Sequence, residues 1–329
     1  MKTEIDVVGF GEIMWGLKFK GFLGSIISMC ILSSCSGGDK YHGARGSLPE
    51  QELTNYDKTA PAVDVFTAQC VNAAQNAYRP YGLSVHSIVN GQKVQPKEAD
   101  SNLSVMLLIK DDKNNISTCS STLINDTTLI TAAHCVQSAQ QIMAVFFTNV
   151  SCESGFDRIS HSINVNLAVA HPDYKNDSTI KSDSDYNPDI ALVFLEKKAP
   201  SAYPRFVIAQ SPEKLKSDLY LYGYGKTASS DVSTMANILL RKTKVAQANY
   251  QFTQGNLVID QKDKTGICNG DSGGGALMLN QNNKFVLAAV NSLVFSFDKE
   301  TKDLCNDSSM LVALDRFSAW IDSTVGQQK

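Results

Sequence analysis

Cys268-Asn269-Gly270-Asp271-Ser272-Gly273-Gly274 sets a serine between glycines and directly after an aspartate. A serine hydroxyl is a weak nucleophile until an adjacent base takes its proton. Acyl transfer also needs N–H donors aimed at the oxyanion that develops. Glycines on both sides let the backbone fold tightly around Ser272 and leave the N–H groups of Gly270 and Ser272 free to converge on one point. Taken alone, the same stretch reads equally well as a glycine-rich turn without chemistry.

A base must come from elsewhere in the chain. All five histidines, His42, His86, His134, His161 and His171, precede Ser272. The spacing Gly270-x-Ser272-x-Gly274 also fits the nucleophile elbow of α/β-hydrolases, but that fold places its histidine after the serine and alternates strands with helices, and this sequence does neither. His134 closes the run Leu129-Ile130-Thr131-Ala132-Ala133-His134-Cys135, where Cys119 could staple the loop and hold a base rigidly within reach of its nucleophile. A structural histidine at a strand end is the plainer alternative. The orienter of such a base should be a carboxylate that can be buried against it. Asp189 heads the apolar run Ile190-Ala191-Leu192-Val193-Phe194-Leu195, where an acid is costly to bury without a partner. An exposed strand cap after Asn187-Pro188 is the competing reading.

The elements that must position these groups are strands. Apolar runs between Asn/Asp/Gly/Ser clusters recur at Val105–Ile109, Met143–Phe147, Ile190–Leu195, Leu219–Tyr222 and Phe285–Val290, which reads as all-β. Leu314, Phe317, Trp320, Ile321 and Val325 fall at helical spacing and predict a C-terminal helix over Ala313–Val325. The 329 residues can hold one large or two ordinary domains. With 43% hydrophobic and 19% charged residues a packed core is available. A net charge of −3, with lysines scattered among acids, argues against a nucleic-acid partner.

In the order His, Asp, Ser, the segments Thr131–Cys135, Asp189–Leu192 and Gly270–Gly274 resemble the signatures of the chymotrypsin-like (trypsin-fold) serine proteases, over a stretch from Ile88 to the C-terminal helix. The resemblance implies two packed six-stranded antiparallel β-barrels with the site in the cleft between them. It implies His134 as general base and acid, Asp189 as its orienter and Ser272 as nucleophile, with the N–H groups of Gly270 and Ser272 as the oxyanion hole. Protein or peptide substrates are implied, with no cofactor and a monomeric chain. No CxxC or HExxH spacing suggests a metal site. Gly275 stands where the family usually has proline, a departure expected to matter little.

Ile88-Val89-Asn90-Gly91 resembles the new N-terminus that the family makes by cleavage, whose freed amine pairs with the acid before the nucleophile, here Asp271. Such a buried ion pair needs both partners, and it orders the pocket and the oxyanion hole. The first residues of a β-strand are the alternative. Ser87 precedes the cut, so an activator of trypsin-like preference does not fit. A zymogen never activated, or a binding module on the same fold, therefore rivals the enzyme reading, whereas a purely structural lipoprotein has no need of all three segments.

The resemblance puts Gly266, six residues before Ser272, at the base of the substrate pocket, where a glycine cannot select Lys or Arg by charge. Ala289–Val294 resembles the substrate-binding strand, bringing Ser292 and Val294 to the pocket, and a count from Trp320 puts Ser309 on the opposite wall. Val294 in place of a small glycine narrows the pocket, and a one-residue slip to Leu293 does the same. Cleavage after small or medium aliphatic residues is expected.

Eight cysteines are present, and setting aside Cys30 and Cys35 leaves an even six, as suits an oxidising compartment. The resemblance implies the bonds Cys119–Cys135 and Cys268–Cys305. Cys70 and Cys152 then remain, and their pairing would keep a pro-segment attached after cleavage at Ser87. Residues 1–35 read as an export signal: Lys18 and Lys20, an apolar Phe22–Leu32, then Leu32-Ser33-Ser34-Cys35 resembling a bacterial lipobox with Cys35 lipidated. An ordinary secretory signal cut nearby is the alternative, and the acids before Met14 suggest Met14 as the true start. The exported chain is expected as an outer-membrane lipoprotein, held by its lipid alone, or as a secreted or periplasmic protein. Residues 36–87 read as a polar linker and a pro-segment with a short helix near 62–78, and residues 88–329 as the trypsin-like domain.

Overall fold

A computed structural model of the protein describes residues 88–147, 149–151, 161–175, 187–226, 237–253, 255–296, 298 and 300–328. The expectations for residues 1–87, and for Cys70 and Cys152, lie outside the described residues. The first half holds β1 (Gln92–Lys93), β2 (Val105–Asp111), β3 (Ile116–Leu123), β4 (Thr128–Thr131), a short helix α1 (Ala133–Val136), β5 (Ala139–Val145), β6 (Asn149–Ser151), β7 (Ser162–Ala170) and β8 (Ala191–Leu195). The second holds β9 (Leu219–Gly223), β10 (Asn237–Leu239), β11 (Arg241–Val245), β12 (Tyr250–Thr253), β13 (Asn256–Asp260), β14 (Gly275–Leu279), β15 (Phe285–Phe295), β16 (Ser308–Ala313) and helix α2 (Ser318–Gly326).

β2, β3, β4, β8, β7 and β5 pair in that order and close into a six-stranded barrel. Its middle is dictated by continuous apolar runs. Every residue of β4 and of β8 is buried, and the two pair antiparallel with Ile130 opposite Leu192. A run buried on both faces is what an uninterrupted apolar strand specifies. β7, on the other side of β8, is only partly buried, with Leu167 38% exposed.

The second sheet runs β1-β11-β9-β14-β15-β16-β13-β12 and does not close. The expected all-β fold with two barrel-like sheets is present, the second as an open half-barrel of eight strands where six were expected. Closure requires the two edge strands to pair. Here β1 is two exposed residues long and pairs only with β11, while β12 pairs only with β13. The core of this sheet gathers Leu219, Leu221, Leu257, Ile259, Ala288 and Leu311 around Ile88. A larger core begins in the closed barrel and continues into the second half through Leu277, Leu287 and Val290.

The C-terminal helix starts later than the pattern predicts. Ala313 ends β16 and Asp315–Phe317 form a 3₁₀ turn before α2. Leu314, Phe317 and Ile321 are buried, and Phe317 and Trp320 pack on the ring of His171 at 5.2 and 4.9 Å between centroids. Burial there holds His171 below the ordinary histidine pKa.

Candidate active site

The closed barrel supplies the histidine and the aspartate. β4 runs out through extended Ala132 into α1, which carries His134. Asp189 stands just before β8, the strand beside β4. Its carboxylate takes two bonds from one residue: His134 N–H donates to Oδ1 at 2.9 Å, and His134 Nδ1 lies 2.7 Å from Oδ2. Against a carboxylate Nδ1 carries the proton, which leaves Nε2 as the basic nitrogen. Ser292 Oγ donates a third bond to Asp189 Oδ2 at 2.6 Å. Burial pushes the Asp189 carboxyl up, but the bonds and charge of His134, with the Ser292 hydroxyl, outweigh it and hold the carboxyl below its ordinary value. The Cys119–Cys135 bond ties β3 to α1 beside the histidine. Cys119, His134 and Cys135 form a cluster of metal-ligand type, yet both sulfurs are consumed by that bond.

The open sheet supplies the serine, on the loop before β14. Gly270 and Gly273 have φ of +97° and +81°, in the region that side chains disfavour. A Cβ on Gly273 would lie 2.0 Å from Thr131 Oγ1 and 2.3 Å from the Ser120 carbonyl oxygen. The loop is gripped from the other half of the molecule. Ser120 N–H donates to the Ser272 carbonyl at 2.8 Å, and Ser120 Oγ donates to the Gly270 carbonyl while accepting from Tyr224 N–H, both at 3.1 Å. Asn291 grips the other side, its carbonyl accepting from Gly273 N–H at 2.8 Å and its Nδ2 donating to the Asp271 carbonyl at 3.1 Å. Among the described residues, the N–H groups of Gly270 and Ser272 have no hydrogen-bond partner.

These parts meet. His134, Asp189, Ser272 and Ser292 border one cavity of about 520 Å³. Cys135 Sγ lies 3.7 Å from His134 Nε2 and 3.9 Å from the Ser272 carbonyl oxygen, so the basic nitrogen and the serine backbone share a neighbour. The arrangement offers a hydroxyl, a basic nitrogen fixed by a buried carboxylate, and two free N–H donors.

Behind the loop, Asp271 is fully buried. Its carboxylate accepts from Gly225 N–H at 2.8 Å, from Cys268 N–H at 2.9 Å and from Ile88 N–H. Burial outweighs these bonds and pushes its pKa up to about 7. Ile88 is also fully buried and has φ of +54°, an uncommon and strained conformation for a β-branched residue. Ile88 and Asp271, paired by the sequence reading, are thus in contact.

The pocket expectations divide. Ser292 and Val294 line the cavity, as do Ile267, Cys268, Phe295 and Met310. Gly266 and Ser309 are buried and are not among the residues lining it. The reason is Gln261, whose side chain takes the room in front of Gly266 and which no local sequence signal marked. The Cys268–Cys305 bond is present beside the cavity. The Ser292 bond to Asp189 also escaped the sequence reading, which gave Ser292 only to the pocket. At Gly275 a Cβ would lie 2.4 Å from Thr122 Oγ1 and 2.6 Å from Leu287 Cδ1, so these two side chains are packed against the glycine.

The sequence pattern of the trypsin family matches residues 88–321, and the chain belongs to that family of serine endopeptidases. Serine protease SP24D of Anopheles gambiae is 25% identical over 179 residues, 51% of this chain and 61% of that one. The chain thus spans about three-fifths of the length of that relative. Chymotrypsin-like elastase family member 1 of Macaca fascicularis is 29% identical over 63% of this chain and 79% of its own. Among solved structures, neuropsin, a serine protease of the limbic system of mouse brain, superposes with a TM-score of 0.53 at 18% identity, over 72% of this chain and all of its own, and so shares the fold. Among the described residues no helix is long and apolar enough to cross a membrane.

Proposed function

We propose that the chain is a serine endopeptidase working through an acyl-enzyme. Ser272 Oγ attacks the scissile carbonyl, and His134 Nε2 takes its proton. The carbonyl oxygen gathers the negative charge, facing the N–H groups of Gly270 and Ser272. When the carbon–nitrogen bond breaks, His134 returns the proton to the leaving amine. Water then repeats the sequence and releases Ser272. Asp189 holds the imidazole in the productive tautomer and stabilises its cation. The observation that carries this reading is the His134–Asp189 pair opening onto the same cavity as Ser272.

The proposal includes activation by cleavage before Ile88, whose new ammonium would meet Asp271, and a preference for small or medium aliphatic residues before the scissile bond. It also includes export, with lipid attached at Cys35, pro-segment residues ahead of Ile88, and a Cys70–Cys152 bond. A binding module that is never activated is the second reading, favoured by the non-basic Ser87.

A fluorophosphonate probe should label the activated chain and fail to label Ser272→Ala; equal labelling of both removes Ser272 as the nucleophile. N-terminal sequencing separates the two readings: a mature chain starting at Ile88 supports the enzyme, and an uncut, unlabelled chain supports the binding module. Cys35→Ala should release the protein from membranes.

A further inference from the structure

Gln261 directly follows β13, and its side chain is fully buried. Its carboxamide is bonded on both ends. Nε2 donates to the carbonyls of Ile267 at 2.9 Å and Cys305 at 2.6 Å, and Oε1 accepts from Ile267 N–H at 3.1 Å. The side chain therefore straps together the two segments that the Cys268–Cys305 bond joins. A Cβ on Gly266 would lie 1.8 Å from Gln261 Oε1 and 2.4 Å from its Cδ. The carboxamide thus fills the volume that a side chain at position 266 would need.

Ser309 completes this region. It is fully buried, its Oγ has no hydrogen-bond partner, and it lies across the sheet from Ile259, two residues before Gln261, and from Val294. The residues that line the cavity at Ser272 include Ile267 and Cys268 but not Gly266, Ser309 or Gln261, so the carboxamide stands behind that lining.

We infer that Gln261 is a specificity-determining residue that backs the floor of the substrate cavity, behind Ile267 and Cys268. It limits the depth available to the side chain before the scissile bond, while Val294 limits the width. The floor is neutral, and its polar atoms are engaged by backbone, so it offers a cationic side chain no partner. The substrate class is peptides with a short, uncharged side chain at that position. This inference rests on the serine-endopeptidase reading.

The test compares the activated full chain with Gln261→Ala and Gln261→Asn, on peptides that differ only in Val or Phe before the scissile bond. Active sites are counted by fluorophosphonate labelling, so unfolded protein does not enter kcat/KM. The ratio of kcat/KM for Phe over Val should rise roughly tenfold or more in Gln261→Ala. Gln261→Asn, which shortens the side chain by one methylene and keeps an amide, should move it the same way by a smaller step. A merely structural role lowers the number of labelled sites and leaves the ratio alone. Unchanged ratios in labelled variants overturn the inference and leave the protease reading intact. A wild type that is neither labelled nor active on any peptide overturns the protease reading itself.

Discussion

His134 and Asp189, beside β4 and β8 of the closed barrel, are held by side chains: a carboxylate accepting twice from one histidine and once from Ser292, with a disulfide alongside. Ser272, before β14 of the open sheet, is held by backbone: two glycines at positive φ, carbonyls gripped by Ser120, and an aspartate buried among N–H groups. The first arrangement is centred on two neighbouring strands, with one bond, from Ser292, arriving from the open sheet. The second needs the other half of the molecule, since Ser120 belongs to β3 of the closed barrel. The half that carries the basic nitrogen takes one hydroxyl from the open sheet, and the half that carries the nucleophile is shaped from outside and from below. Sensitivity to chemistry should therefore concentrate in the first half, and sensitivity to pH and cleavage in the second.

The largest expected effect falls on the barrel side. Asp189→Asn keeps the shape but cannot hold the proton on Nδ1 of His134, so kcat should fall by about 10⁴-fold. Folding should be nearly preserved, since an amide still reaches the His134 N–H. Steady-state kinetics on any cleaved peptide decides this, and a loss under about tenfold would mean that the buried pair is structural.

The next effect separates the halves by pH. Asp271 has its pKa pushed up to about 7 by burial, whereas an unfolded aspartate titrates near about 3.9. Between those values the folded chain binds more protons than the unfolded one, so its stability falls as pH rises. The contribution is fully present below about pH 4 and lost above about pH 7, on the order of a few kcal/mol. Cleavage before Ile88 would replace a neutral N–H by an ammonium, favour the carboxylate and remove or reverse that slope. Urea unfolding of intact and cleaved chains at pH 5 and pH 8 tests this. An intact chain that is more stable at pH 8 contradicts it.

A smaller effect crosses between the halves. Ser120→Ala removes the hydroxyl that accepts from Tyr224 N–H and donates to the Gly270 carbonyl, leaving one buried and one part-buried backbone group without that partner. About 1–3 kcal/mol of stability should go, and kcat should fall because the Gly270 peptide loses its anchor. If the melting temperature drops while kcat per labelled site holds, the grip from β3 is structural only.

Legibility follows the same division. The strand through Ile190–Leu195 was readable because a run buried on both faces needs no alternation, and the segments around His134, Asp189 and Ser272 because their residue types are rare in those settings. The open sheet was less readable. β1 is two exposed residues and β12 carries no apolar run, so nothing local announced eight strands rather than six. Ser120 and Gln261 act on residues that are distant in the chain or hidden beneath a turn, and a serine or glutamine in a strand-rich sequence carries no signal of that. Counting back from Ser272 puts Gly266 at the base of the pocket, but what stands in front of a glycine is a tertiary fact.

The smallest effect lies where the halves touch most closely. Ser292, on β15 of the open sheet, donates to the same Asp189 oxygen that faces His134 Nδ1. Removing that hydroxyl in Ser292→Ala takes away one of the bonds that hold the Asp189 carboxyl below its ordinary value, so its pKa moves up while His134 still holds it down. A depressed carboxyl stabilises the fold above its unfolded pKa, and that contribution is lost as pH falls through the folded value. The variant should therefore be less stable than wild type at pH 7 by about 1 kcal/mol, with the gap shrinking as acid protonates Asp189 in both proteins. In kinetics, kcat should drop about tenfold or less, far short of Asp189→Asn, because His134 alone keeps two of the three bonds. A stability gap that stays constant from pH 7 into acid would show that Ser292 contributes through packing alone, and the barrel side would then be self-sufficient in its electrostatics as well as its geometry.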